Sequence, residues 1–240
     1  PSVRRQRQMC IRDRYVVSTG EVLTAEEEET LIASELNNGA KGIILQPVFG
    51  DESEKILQKY SKKVPFMQVE AAVVTQDGEP IVSVTKPEYY KMGLDLATEI
   101  LNDFNGNLEG KTVGIVSSDP NAAIAKEKEQ GIIDTINPAG GEILWSVKGY
   151  AKNDGELSLP AYPEVDILIA LEDDCLVEAG EATAAGKLHG ALVYGIGSSM
   201  EAFYYLDTGC AECLIVPDEF NLGYQSLSKV AEGFCHASKK

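Results

Sequence analysis

The chain has 240 residues, of which 44% are hydrophobic, and it carries a formal net charge of −17 at pH 7. This composition allows a packed core in one domain or in two small ones, and no apolar run approaches the ~20 residues that a membrane-spanning helix needs. The strong acidity argues against a surface that binds nucleic acid or anionic membranes.

The first fourteen residues differ from the rest of the chain, because they hold five arginines and only one aspartate. A basic arm that binds nucleic acid is one interpretation of this segment. The alternative is that residues 1–14 are not native, since the codons that encode residues 4–14 in frame resemble a transposase-type sequencing adapter. We favour the alternative. It places the native start near Tyr15 and, because it removes a net charge of +4, leaves −21 on the remaining chain.

From Tyr15 onward, short apolar strands alternate with amphipathic helices. β-branched or uniformly apolar runs indicate the strands, and apolar residues at three- and four-residue spacing indicate the helices. At the start of the first helix, Thr24 and Glu27 have the spacing of a capping box. The predicted strands are 15–22, 42–47, 64–70, 112–118, 141–150, 166–173, 191–198 and 211–219, and residues 71–88 are turn-rich and strand-like. The predicted helices are 25–37, 51–63, 89–104, 122–136, 175–186, 199–209 and 220–234.

A glycine- and asparagine-rich link, NGNLEGK at residues 105–111, separates two runs of strand–helix units. Two such runs predict an α/β protein with two doubly wound parallel-sheet lobes. We place the first lobe at residues 15–106 and the second at 111–217. Ligands of open parallel sheets bind beyond the carboxyl ends of the strands, so two facing lobes would form a cleft there.

The motifs of common enzyme classes are missing from the sequence. The segment GIGSS at 195–199 lacks the third glycine of a dinucleotide-binding loop, no phosphate-binding loop or nucleophile elbow occurs, and neither His189 nor His236 accompanies a serine or cysteine in a nucleophilic pattern. Cys210 and Cys213 have the spacing of a redox pair or of half a metal site. No second such pair is present, and we interpret them as small buried hydrophobes. The sequence therefore predicts a protein that is not an enzyme and holds neither a cofactor nor a metal.

Acidic side chains cluster where the predicted strands end. Ionised carboxylates accept charge-assisted hydrogen bonds, which suits a hydroxyl-bearing ligand. Tyr150 would add a flat apolar wall for the C–H face of a sugar, and Ser198 a hydrogen-bond donor, although a serine there also suits a helix N-cap. The acidic residues are Glu70, Asp119, Glu172, Asp173, Asp174, Asp218 and Glu219.

At this point the chain resembles a known bacterial family, the periplasmic sugar-binding proteins of the ribose/galactose type, whose fold is shared by the effector domains of lactose-repressor-like regulators. The resemblance implies the type I periplasmic binding fold, in which a hinge joins two doubly wound lobes and residues 218–240 return to the first lobe. It also implies that the family's first strand and helix precede Tyr15. The segments that carry it, in family order, are NNGAKGIILQP, KKVPFMQVE, YKMGLDLATEIL, EGKTVGIVSS, KEKEQGIIDTI, DILIALEDD, LVYGIGSS and VPDEFNLGYQSL.

The resemblance also implies ligand-binding positions, some of which carry altered residues. Lys128 stands where the family has an arginine with a planar fork, Ala71 where it has another arginine, Gly197 where it has an aspartate, and Pro217 where it has a glutamine. The altered shell leaves the identity of the ligand open. The ligand-binding residues that we predict are Glu70, Glu88, Lys128, Tyr150, Glu172, Asp173, Ser198 and Asp218.

Two functions are compatible with this resemblance. In the first, the protein captures a sugar or related polyol in the interlobe cleft and delivers it to the permease of an ABC-type importer, in the periplasm or at the cell surface. In the second, it is the sugar-sensing effector domain of a cytoplasmic regulator, which would dimerise and bind DNA through a separate head; neither function has this segment bind nucleic acid directly. The net charge mildly favours the exported receptor, whereas four cysteines beyond Tyr15 mildly favour the cytoplasm.

Overall fold

The computed structural model describes residues 24–47, 51–70, 73–74, 80–149 and 163–237. Within these ranges the predicted alternation of strands and helices is confirmed; the predicted strand 15–22 lies outside them. The helices are α1 Ala25–Asn37, α2 Asp51–Tyr60, α3 Tyr89–Asp103, α4 Ala123–Ile136, α5 Asp173–Ala184, α6 Met200–Asp207 and α7 Glu219–Ala237. The strands are β1 Ile43–Leu45, β2 Phe66–Val69, β3 Val84–Thr85, β4 Thr112–Ser117, β5 Glu142–Lys148, β6 Ile167–Ala170, β7 Leu192–Ile196 and β8 Cys213–Ile215.

The chain divides into two compact units, and the division falls before α3. One unit comprises Pro1–Lys86 with Phe220–Lys240, and the other Pro87–Glu219. This differs from the division predicted at residues 105–111. The reason is that the apolar face of α3, with Leu96 and Ile100 fully buried, packs into the core of the second unit. The glycine-rich link is thus an internal connection of that unit.

The first unit contains the parallel sheet β1-β2-β3. Ile32 on α1 and Leu57 on α2 pack with Phe66 of β2 in one apolar cluster. The predicted capping box starts α1, since Thr24 Oγ1 accepts from the Glu27 backbone N–H at 3.2 Å and the Glu27 carboxylate accepts from the Thr24 N–H at 3.2 Å. These contacts orient α1 and α2 on the sheet.

The second unit contains the five-stranded parallel sheet β5-β4-β6-β7-β8. Successive side chains along each strand point to opposite faces of the sheet. Ile167 and Ile169 of β6 pack with α3 and α4, whereas Leu168 and Ala170 pack with α5 and α6. Helices therefore cover both faces of the sheet, which explains why β6 is apolar at every position.

The strand order of this sheet creates a switch in winding direction. The chain first moves outward from β4 to β5, then returns to place β6 on the other side of β4, and continues to β7 and β8. In such sheets the crevice lies at the carboxyl ends of the two strands where the direction changes, here β4 and β6.

Among the described residues, no helix is both long and apolar enough to cross a membrane.

Candidate functional site

The switch-point edge of the second unit, meaning the loops that follow β4, β6 and β7, brings together four of the predicted site residues. They are Lys128 from α4, Glu172 and Asp173 after β6, and Ser198 after β7. Each makes a direct contact with at least one neighbouring loop, as described below. The edge therefore carries two polar groups, one around Glu172 and one around Asp173, which are adjacent in the chain.

Lys128 is the only lysine or arginine that is buried among the described residues, with 6% of its surface exposed. Its Nζ donates to the backbone oxygen of Leu171 at 2.7 Å and lies 3.6 Å from Oε1 of Glu172. The ring centroid of Tyr89 is 5.9 Å from the same Nζ, within reach of a cation–π interaction. A buried ammonium needs such partners to offset its desolvation.

Glu172 occupies the N-cap position of α5, but its side chain makes no capping hydrogen bond to that helix. Its Oε2 instead accepts from the backbone N–H of Ser118 at 2.9 Å, after β4, while its Oε1 faces Lys128. The Cys175 thiol lies 4.0 Å from Oε2. Burial, and secondarily the Glu172 carboxylate, raises the pKa of this thiol to about 12. Glu172 thus ties β4, α4 and α5 together.

Asp173 connects the end of β6 to the loop after β7. Its two carboxylate oxygens accept from the backbone N–H groups of Ser198 and Ser199, each at 2.9 Å. Burial alone would raise the pKa of Asp173, but the hydrogen bonds from the two serines outweigh it and hold the pKa below its ordinary value. A Cβ at Gly197 would lie 2.5 Å from Asp173 Oδ1, so a larger residue there would displace this carboxylate.

The two serines after β7 have different roles. Ser199 is the N-cap of α6 and accepts from the Ala202 N–H at 3.1 Å, whereas the Ser198 hydroxyl donates to Oε1 of Glu219 at 3.3 Å. Asp218 directly precedes Glu219 and is exposed. The predicted Asp218 thus lies next in the chain to a residue that contacts Ser198.

Two glycines hold α3 and α4 close enough to bring Tyr89 beside Lys128. A Cβ on Gly93 would lie 1.9 Å from the backbone oxygen of Lys128, and a Cβ on Gly131 would lie 2.2 Å from that of Tyr90. The two helices therefore touch backbone to backbone, which no larger residue permits. The spacing of Lys128 and Gly131, three residues apart, places both on one face of α4.

Glu88, another predicted site residue, occupies the N-cap position of α3 and is exposed. Its side chain makes no capping hydrogen bond to the helix. It precedes Tyr89, whose ring faces Lys128. Glu88 therefore adjoins the switch-point edge along the chain.

In the first unit, Glu70 follows β2 and has a left-handed backbone, with φ of 64°. Such a conformation is uncommon for a residue with a side chain and is found at functional sites. Its Oε2 accepts from Nε2 of Gln46, which follows β1, at 2.5 Å. The carboxyl edge of this sheet therefore carries a paired amide and carboxylate.

Some site residues escaped the sequence analysis, and Tyr150 lies outside the described residues. Gln46 lies near the end of the predicted strand 42–47, and its position at a strand end is the signal that could have identified it. Ser118 contributes a backbone N–H, which has no signature in the sequence. Tyr89 is the first residue of the predicted helix 89–104, and nothing in the sequence places its ring beside Lys128. Among the described residues, no group of three or more histidine, cysteine, aspartate or glutamate side chains lies close enough together to hold a metal ion.

The profile of the periplasmic binding protein domain matches residues 11–232. The chain belongs to the periplasmic binding protein family. The predicted family and α/β fold class are thereby confirmed. No curated protein matches the chain significantly in sequence.

Solved structures with this fold are similar to the chain at low sequence identity. A solute-binding protein of an ABC transporter from Burkholderia multivorans matches with a TM-score of 0.73 and 14% identity, over 98% of this chain and 86% of its own. An arabinose-binding protein from Geobacillus stearothermophilus matches with a TM-score of 0.70 and 18% identity, over 86% and 72%. A glucose-galactose-binding protein from the same organism matches with a TM-score of 0.66 and 16% identity, over 87% of this chain and 75% of its own. Like the periplasmic binding proteins, the chain therefore has the two-lobed type I fold.

Proposed function

We propose that the protein captures a sugar or related polyol and delivers it to an ABC-type importer. The observation that carries the proposal is the pair of polar contacts at the switch-point edge, Lys128 with Glu172 and Asp173 with Ser198, which the chain joins at residues 172 and 173. A pre-organised set of acceptors and donors of this kind suits a ligand with several hydroxyl groups. The similar proteins named for arabinose and for glucose and galactose support the same ligand class.

The same comparison supports the cellular setting. Proteins of this family act outside the cytoplasm, so we place the protein in the periplasm or on the cell surface, where it would meet the permease. Within this proposal Glu70, Glu88 and Asp218 add hydrogen-bond acceptors for the sugar hydroxyls, and Tyr150 offers a flat apolar face to the sugar ring.

Thermal unfolding of the full chain with D-arabinose, D-galactose and D-glucose tests the proposal. A ligand that binds only the folded protein stabilises it, by about 2.7 kcal/mol at a hundredfold excess over Kd. For a chain of this size we expect a rise of about 5–10 °C. Glu142→Gln, at the amino end of β5, is a matched control that should retain the full shift. If no sugar or polyol in a broad panel raises the melting temperature, the proposal is wrong.

A further inference from the structure

We propose that Glu172 is a built-in anion that decides the charge of the ligand, so that the site accepts neutral sugars and rejects uronates and sugar phosphates. This inference rests on the proposed function. It starts from the anion-binding groups at the switch-point edge, the Lys128 ammonium and the Ser118 backbone N–H. One carboxylate of the chain itself already pairs with both: Glu172 lies 3.6 Å from the ammonium as an ion pair and accepts from the N–H at 2.9 Å.

The position of Glu172 is unusual for its helix. An acidic N-cap residue ordinarily accepts from a backbone N–H in the first turn of its own helix, whereas the Glu172 carboxylate makes no such bond and instead accepts from the Ser118 N–H after β4 and faces Lys128 of α4. The Lys128 ammonium also donates to Leu171 and lies by the Tyr89 ring. Its remaining hydrogen-bonding capacity toward a ligand anion is therefore small.

Other charges at this edge do not replace Lys128. Lys126 lies on α4 two residues before Lys128, and Lys148 lies at the carboxyl end of β5. Both are exposed, and exposed charges are screened by water and salt. Asp173, whose pKa is held low by the two serine N–H groups, stays ionised near neutral pH and adds negative charge. A carboxylate or phosphate on a ligand would meet Glu172 and Asp173 without an unpaired buried cation to compensate.

Matched sugars that differ only in charge test the inference. The pairs are D-glucose with D-glucuronate and D-galactose with D-galacturonate, titrated into the full chain by calorimetry. We expect each uronate to bind at least tenfold more weakly than its neutral partner. We also expect Glu172→Gln to reduce that preference at least tenfold, because it releases the Lys128 ammonium, while Glu142→Gln leaves it unchanged. A wild-type chain that binds a uronate as tightly as its neutral partner would overturn the inference.

A second measurement does not depend on any sugar. Glu172→Ala leaves an empty carboxylate position between Lys128 and Ser118, which sodium acetate should fill. Compared with sodium chloride at equal ionic strength, a tenfold excess of acetate over its Kd should raise the melting temperature of Glu172→Ala by about 3–6 °C. The wild type and Glu142→Ala should show no such difference. A Glu172→Ala protein that folds only in acetate would also support the inference, because acetate then stabilises the folded state more than chloride does. If acetate and chloride have the same effect on Glu172→Ala, the inference fails even if neutral sugars bind. Conversely, acetate rescue without binding of any sugar would sink the proposed function and keep the anion position.

Discussion

Replacing Gly131 with alanine should destabilise the second unit through the crossing of α3 and α4. The added Cβ would lie 2.2 Å from the Tyr90 carbonyl oxygen and 2.7 Å from the Leu94 nitrogen. Both distances are well inside the ~3.5 Å at which such atoms attract, and both obstacles are backbone, so one helix must move by about 1 Å. Overpacking of this kind costs about 3 kcal/mol at the upper end of its usual range.

Part of this cost is offset because alanine favours a helix over glycine by ~1 kcal/mol. The net loss of about 2 kcal/mol corresponds to a fall in melting temperature of about 4–8 °C for a chain of this size. Calorimetric melting of the full chain measures it. Gly223→Ala on α7 is the matched control, since nothing lies within 4 Å of its added Cβ, and it should not lower the melting temperature. A Gly131→Ala protein that melts at or above the wild-type temperature would refute the backbone contact.

Three further predictions concern the loops around β6 and β7. Gly197→Ala should weaken sugar binding at least tenfold in calorimetry, because its Cβ would lie 2.5 Å from Asp173 Oδ1 and displace that carboxylate; an unchanged Kd would contradict this. Because the folded-state pKa of Asp173 is depressed, its contribution to stability is present above the ordinary pKa and is lost as the pH falls through the folded value. The melting temperature of Asp173→Asn should therefore fall less steeply than that of the wild type below about pH 4, and parallel curves would refute the assignment. Cys175, buried and with a thiol pKa of about 12, should react with iodoacetamide at pH 8 far more slowly than the half-buried Cys210, as mass spectrometry of the labelled peptides would reveal; equal rates would contradict its burial.

Much of the fold follows from local patterns in the sequence. The apolar run at residues 166–173 predicted a strand, and β6 forms there with helices on both of its faces. The spacing of Thr24 and Glu27 predicted the observed capping box. These features depend on residues close together in the chain, so periodicity and propensity suffice to predict them.

The division between the units could not be predicted in the same way. The link at residues 105–111 has the composition of a boundary, yet Leu96 and Ile100 commit α3 to the second sheet. Which sheet covers an amphipathic helix is decided by packing partners distant in sequence, and hydrophobic spacing carries no record of them. Gly93 and Gly131 were the available signal, because a glycine inside a helix costs stability unless close packing requires it.

The candidate site separates into a scaffold that the backbone dictates and side chains that can vary upon it. A Cβ on Gly93 or Gly131 would collide with the backbone of the neighbouring helix, so these glycines fix the position of Lys128, and the small Gly197 leaves room for the Asp173 carboxylate. Glu172 is under no such constraint, since its carboxylate reaches Ser118 and Lys128 through a flexible side chain. A change at position 172 can therefore alter which ligand charge the site tolerates while the fold is maintained. On this reasoning the glycines preserve the binding geometry, and Glu172 is the position at which specificity is most easily changed.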